Sequence, residues 1–316
     1  LCLSAKVEAS DFGTALGIAT LNIPAGADIA AMGNADASAW SWSSNNPAMT
    51  AFSKPGVEWR YGGSGTYGIV EFSKGPQLSF YSVTGAVKTT IGVFQTTASY
   101  FGSDTEMTKI GTDSKFAPSR SIDLTWANKI TDDLLLKGDE LYVGCETSIS
   151  NSQINFSYNH QRIIRSKSTG NGAMAGFLYK PSERINIGGF YGRYWDRSRE
   201  TNYLSENSSH DSSATDQIKI GASFQVLPLT FLACDYQFLN LPKMRKGQVF
   251  AGIEQGIVKD IFYLYSGWAA NGPTCGAGLY FKHGGFNIAY MQNPFSEAND
   301  YLGRARVLMA MVYGSF

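Results

Sequence analysis

The stretch QIKIGASFQV (Gln217–Val226) decides the fold. Ile218, Ile220, Ala222, Phe224 and Val226 fall on one side of an extended chain, while Gln217, Lys219, Gly221, Ser223 and Gln225 fall on the other, because successive strand side chains point to opposite faces. One face suits lipid and the other a polar interior, the pattern of a strand in a transmembrane β-barrel. The next strand repeats it, with Thr230, Leu232, Cys234, Tyr236 and Phe238 against Phe231, Ala233, Asp235 and Gln237. A third sets Cys275, Ala277, Leu279 and Phe281 against Gly276, Gly278, Tyr280 and Lys282. No helical period intervenes.

The connections carry a topology. Pro181–Arg184, Leu227–Pro228, Val258–Asp260 and His283–Gly285 read as tight hairpin turns, built from residues that preset or tolerate turn backbone. Between them lie longer polar links at Asp196–Asp216, Asn240–Gly247, Ala269–Pro273 and Asn293–Gly303. Short and long connections in alternation are the mark of bacterial outer-membrane barrels, with short periplasmic turns and long extracellular loops. A soluble β-sandwich also alternates, but here aromatic residues recur near strand ends (Tyr191, Tyr194, Trp195, Phe238, Trp268, Tyr290), where interfacial girdles place them. The last strand, from Arg304 through Val312, leads to Phe316, a terminal aromatic of the kind read by the barrel-assembly machinery.

Composition points the same way. The 316 residues are only 16% charged and hold 34 Gly and 17 Tyr, poor material for a two-layer enzyme core. Lys and Arg number 26, as do Asp and Glu, so no basic excess argues for nucleic acid. No run of about 18 apolar residues suits an inner-membrane helix. Cys2, Cys145, Cys234 and Cys275 are isolated and form no metal site; the last three fall on apolar strand faces, where a thiol acts as a small hydrophobe, with a disulfide as the alternative. His160, His210 and His283 accompany no G-x-S-x-G elbow, so the expectation is a protein without catalytic residues, metal or cofactor.

Residues 1–9 (LCLSAKVEA) read as a remnant of a secretory signal, with a lipid on Cys2 as the alternative. Residues 10–53 do not alternate. They are rich in small residues, with a short helix expected around Ala27–Met32, then Trp40, Trp42 and the turn Asn46-Pro47-Ala48. A segment too polar to cross lipid and too long for a linker is placed most economically inside the barrel as a plug, leaving residues 54–316 for the barrel itself.

At this point the chain resembles a known superfamily of outer-membrane barrels, the FadL long-chain fatty-acid transporters together with the PorV and PorQ proteins of type IX secretion. The resemblance rests on Ala25–Ala35 (AGADIAAMGNA), Ala37-Ser38-Ala39-Trp40 and Asn45-Asn46-Pro47-Ala48-Met49. Ser121–Ala127, closed by Lys129–Leu134, resembles the PorV-like branch. The usual Met-Gly-Gly-Ala appears here as Met32-Gly33-Asn34-Ala35, and the acidic pair before the Trp stretch is reduced to Asp36.

The resemblance implies an all-β, 14-stranded antiparallel barrel in the bacterial outer membrane, with an N-terminal hatch. The pattern itself supplies nine strands from Phe316 back to about Gly172. Seven shorter candidates precede them: Val57–Tyr61, Thr66–Phe72, Gln77–Val83, Val87–Ser99, Ser121–Lys129, Leu141–Ile149 and Ile154–Ile164. All seven make sixteen, and about 14 is the expectation. The implied function is passive transport of hydrophobic small molecules, with Trp40, Trp42, Met49, Phe52, Phe250 and Tyr280 as lumenal ligand-binding residues. The alternative is a PorV- or PorQ-like scaffold, docking a protein partner in an outer-membrane complex through its long loops. Either way the partners include outer-membrane lipids and lipopolysaccharide.

Overall fold

The computed structural model describes residues 26–38, 44–52, 60–73, 77–102, 107–109, 112–158, 161–203, 207–241, 244–294 and 303–315. The barrel opens with β1 (Tyr61–Phe72), β2 (Gln77–Thr89) and β3 (Gly92–Gly102). A three-residue strand, β4 (Met107–Lys109), only edges onto β5 (Thr112–Asp132). Four tall strands follow β5: β6 (Glu140–Tyr158), β7 (Gln161–Ser182), β8 (Ile185–Asn202) and β9 (Asn207–Leu227). Then come β10 (Thr230–Leu241), β11 (Met244–Val258), β12 (Phe262–Ala269), β13 (Gly272–Phe281), β14 (Gly284–Gln292) and β15 (Ala305–Ser315). Neighbours are antiparallel throughout, β1 pairs with β15, and β3 pairs with β5. Setting β4 aside, the ring therefore closes on fourteen strands, which removes the sheet edges that an open sheet would expose.

The polarity of the wall is inverted relative to a soluble protein. On β9, Ile220 is 52% exposed and points outward, while its neighbour Lys219 is 1% exposed and points into the lumen. Cys145, Cys234 and Cys275 are free thiols on the outward side. The outward apolar band is what a barrel presents to lipid. Thr230 departs from its expected outward face, because a register shift between Thr230 and Phe231 turns it inward.

The seven early candidates become five barrel strands. Thr66–Phe72 extends back to Tyr61 as one strand, because Gly62–Gly65 interrupt the apolar alternation yet keep full ladders to β2 and β15. Residues 53–59, which include Val57, lie outside the described residues. Leu141–Ile149 and the start of Ile154–Ile164 are likewise one strand, β6, continuous through the polar Ser150–Gln153.

Three of the four long links are not loops. Asp196–Asp216 is a tall hairpin paired from Arg193↔Asp216 up to Asn202↔Asn207. Asn240–Gly247 is largely β10 and β11, and Ala269–Pro273 contains a two-residue turn in which Ala270 takes φ 52°. Beyond the lipid both faces of a hairpin meet water, so polar residues occupy both faces and the alternation disappears while the hydrogen-bond ladder continues. Of the fourth link, residues 295–302 lie outside the described residues.

The turn between β5 and β6 shows how one side chain organises a connection. The Asp139 carboxylate accepts hydrogen bonds from the N–H groups of Leu134 (2.5 Å), Leu135 (2.8 Å) and Leu136 (2.9 Å) and from the Tyr179 hydroxyl (2.7 Å). Burial works to raise its pKa, but these four donors together hold it down at about 2. A depressed folded-state pKa stabilises above the unfolded value near 3.9 and loses that stabilisation as pH falls toward about 2. Asp139→Ala is therefore expected to raise amide exchange at residues 134–136 at neutral pH by about tenfold. The wild-type turn should begin to lose protection below about pH 4, relative to intrinsic exchange at each pH, and approach that rise only near pH 2.

Candidate functional site in the lumen

Residues 26–38 and 44–52 pack against inward-facing side chains of the wall. Helix α1 (Ala27–Ala31) packs on β12–β15, and a 3-10 turn (Pro47–Ala51) packs on β3 and β5–β7. Helix α1 ends where Gly33 (φ 71°) and Asn34 (φ 65°) adopt left-handed backbone, a common helix stop. Asn46 caps the 3-10 turn, its side-chain oxygen accepting from Ala48 N–H at 3.1 Å, with Pro47 at the first position.

Three cross-strand glycine pairs make room for this segment. They are Gly144↔Gly176 on β6 and β7, Gly188↔Gly221 on β8 and β9, and Gly252↔Gly267 on β11 and β12. A methyl on Gly144 would lie 2.5 Å from the Pro47 carbonyl carbon, and one on Gly176 would overlap the Asn46 side chain. A methyl on Gly188 would overlap the Ala37 carbonyl oxygen, and one on Gly267 would lie 2.5 Å from Met32 backbone. Each glycine sits within six residues of its strand's short-turn end. Together they form a circumferential furrow: at Gly144, Gly188, Gly252 and Gly267 backbone lies on backbone, an approach any side chain would prevent, while Gly176 faces the Asn46 side chain and Gly221 leaves room for Asp235.

A buried ionic cluster ties the middle of the segment to the wall. The Lys219 ammonium donates to the Asp36 carboxylate and, at 2.5 Å, to the Asn34 carbonyl, and it lies 3.6 Å from Asp235. It also sits 4.6 Å from the centre of the Phe250 ring. Asp235 in turn accepts from Ala37 N–H at 2.7 Å, and Asp36 accepts from the Asn45 amide at 2.6 Å. Lys219, Asp36 and Asp235 are all essentially inaccessible to water, a placement that charges tolerate only when paired and hydrogen-bonded. The Asn46 amide adds donations to the carbonyls of Ala37 (2.7 Å) and Phe177 (3.0 Å).

Of the expected ligand-binding residues, Trp40 and Trp42 lie outside the described residues. The others divide between two places. Met49 and Phe52 pack with Ala48, Tyr142 and Leu178. Phe250 and Tyr280 belong to a larger cluster with α1 on the other side of the lumen.

That larger cluster contains residues that strand patterning alone did not single out. Inward Val70 and Phe72 (β1), Leu78 and Phe80 (β2), Phe101 (β3), Met291 (β14) and Val307, Met309 and Met311 (β15) form a continuous apolar arc. Toward the short-turn rim the same inner faces become polar, with Ser64 and Thr66 on β1, Ser82 and Thr84 on β2, and Asn287 on β14. Asn287 is fully buried, and neither its amide nitrogen nor its amide oxygen has a hydrogen-bond partner. Beside it, the Tyr265 and Tyr280 hydroxyls share a hydrogen bond, and the Tyr263 and Tyr280 rings meet edge-on at 4.9 Å. The sequence signal was present as a methionine-rich inner face on β15, but that face reads as ordinary strand packing until the barrel is closed.

Fold and site together define a closed fourteen-stranded antiparallel barrel whose inward side chains pack against α1 and the 3-10 turn. Among solved structures it is similar to the toluene transporter TbuX of Ralstonia pickettii, with 12% identity over 92% of this chain and 98% of that one and a TM-score of 0.59. It is also similar to the monoaromatic hydrocarbon channel CymD, with 12% identity, 93% and 98% coverage and a TM-score of 0.62. A FadL homologue of Pseudomonas aeruginosa gives 12% identity, 93% and 98% coverage and a TM-score of 0.57. No protein-family model and no curated protein matches the sequence. At this identity the likeness establishes the fold.

Proposed function

We propose that the protein is a bacterial outer-membrane channel for passive uptake of hydrophobic small molecules, with residues 10–53 serving as its hatch. The observation that carries this reading is the apolar arc from Phe101 to Met291, bordered by a polar zone toward the short-turn rim. A dry apolar surface with few polar anchors is what a hydrophobic ligand needs, and a general aqueous pore has no use for one. The fold shared with hydrocarbon and FadL-type transporters supports it. Proteoliposomes carrying the protein should take up toluene and a long-chain fatty acid faster than liposomes carrying an unrelated closed barrel; equal rates for both compounds would overturn the reading.

The unpaired amide of Asn287 sharpens the ligand class. A buried amide without partners costs about 1–3 kcal/mol, so its place at the border of the apolar arc favours ligands with one hydrogen-bonding group, such as a phenol or a carboxylic acid. Asn287→Leu is expected to slow uptake of such compounds by about tenfold while toluene uptake changes less than about twofold, because one lost hydrogen bond corresponds to roughly a factor of ten. Parallel loss of both would instead mark a general packing role.

The tall hairpins β5–β9 favour a second reading, a scaffold that docks a protein partner. Native mass spectrometry of the protein from outer membranes separates the two: a stoichiometric protein partner supports the scaffold, and a bound small hydrophobe supports the channel.

A further inference from the structure

We propose that the outward face of β7–β9, just beyond the lipid band, is a binding site for the phosphate groups of outer-leaflet lipids. On β8 the outward residues run Ile187, Tyr191, Arg193, Trp195, Arg197, Arg199 away from the short-turn rim. The change from apolar to basic falls at the level where β9 passes from Ile218 to Asp216, since Arg193 is directly opposite Asp216. Above it, Lys167 on β7 lies directly opposite Arg199, which lies opposite His210 on β9. Like charges set directly across a ladder repel, and an anion seated among them would relieve that repulsion.

Among the described residues no acid supplies that anion. Lys167, Arg197 and Arg199 are exposed and have no ion-pair partner among the described residues. Asp216 is the acid on this outward face, and it is engaged by Arg193 at 3.7 Å and by the Tyr191 hydroxyl at 2.8 Å. Asp196 and Glu200 on β8 and Asp211 on β9, opposite Ser198, alternate onto the other face, where Asp196 accepts from Ser168. Trp195 is half exposed, with the Arg193 guanidinium 5.8 Å from its ring centre, as an interfacial tryptophan would be. At about 3.4 Å per residue and a tilt near 40°, Arg197 and Arg199 stand roughly 5 and 10 Å above that tryptophan, in the headgroup layer. Guanidinium pairs phosphate bidentately, so this row suits a phosphorylated glycolipid better than a zwitterionic headgroup.

The inference rests on the outer-membrane placement proposed above, and the test separates the two. The purified full-length protein is titrated with bis-phosphorylated lipid A and with its dephosphorylated form, followed by native mass spectrometry. Lys167→Gln/Arg197→Gln/Arg199→Gln should weaken binding of the phosphorylated lipid by about tenfold or more and leave the dephosphorylated form unchanged. A control at the short-turn rim, Arg184→Gln/Lys259→Gln/Lys282→Gln, should bind like wild type. All variants are checked for the heat-modifiable mobility of a folded barrel. Wild-type binding by a folded triple variant would overturn the proposal, as would complete displacement of the lipid by millimolar inorganic phosphate, which would mark a general anion site. Failure of the wild-type protein to insert into bilayers would count against the membrane placement instead.

Discussion

Lys219→Met is expected to release the N-terminal segment from the wall while the fourteen strands stay closed. The substitution leaves the Asp36 and Asp235 carboxylates buried near one another without their shared cation. Breaking a buried charge cluster by removing one partner costs about 3–5 kcal/mol. That cost falls on the link between segment and wall, because Asp36 belongs to one and Asp235 to the other, whereas strand pairing on β9 and β10 is made by backbone. The remaining anchors near this point are neutral hydrogen bonds from Asn46, Ser223 and Thr274, about 1 kcal/mol each, so the stretch around Asp36 is released while α1 and the 3-10 turn keep their apolar packing. Single-channel recordings should show larger and longer-lived openings than wild type. A cysteine at Ala37, in a background with Cys2, Cys145, Cys234 and Cys275 replaced, should become reactive to a water-soluble maleimide. Wild-type conductance with no labelling would sink the idea. Removing all three charges with Asp36→Asn/Lys219→Met/Asp235→Asn should restore much of the closed state, since no uncompensated charge then remains.

Gly188→Val is expected to have a comparable effect by steric means alone. Its side chain would occupy the position of the Ala37 carbonyl oxygen, and the obstacle on both sides is backbone, which cannot rotate away as a side chain could. Overpacking of this kind costs about 1–3 kcal/mol when neighbours can adjust and more when they cannot. The control lies on the same wall: Gly65 on β1 and Gly85 on β2 have nothing within 4 Å of an added methyl. Gly65→Val and Gly85→Val should leave conductance and thermal stability near wild type, while Gly188→Val should raise conductance. Identical behaviour of all three variants would show that the furrow does not seat the segment.

The two substitutions probe different parts of one arrangement, so their effects should be less than additive. Residues that share a contact couple, and both Lys219 and Gly188 meet the same short stretch, Asn34–Ser38. Once the segment has left the wall for one reason, the second change has little left to disturb.

Much of the architecture was legible in the chain itself. A membrane wall demands apolar residues on one face only, and that demand writes a period of two into Gln217–Val226 and its neighbours. It also gave the nine strands of the second half and the inward placement of Phe250 and Tyr280. The signal failed wherever the physical demand ceased. Above the lipid both faces of β8 and β9 meet water, so a tall hairpin looked like a loop. At Gly62–Gly65 the missing side chains hid a strand that its backbone ladder holds in place.

The sequence by itself determined the class of fold, its inverted polarity and the turn at Asn46-Pro47-Ala48, because each is a local consequence of side-chain alternation or of backbone preset by proline and a capping amide. Only the tertiary structure decided which residues share the lumen. The partnership of Lys219 with Asp36 spans 183 residues, and the pairing of Gly252 with Gly267 beneath Met32 depends on register and barrel closure together. Local sequence does not encode those distances. They are set when fourteen strands close into a ring and the segment that precedes them is left with a furrow of glycines and a buried cation to settle against.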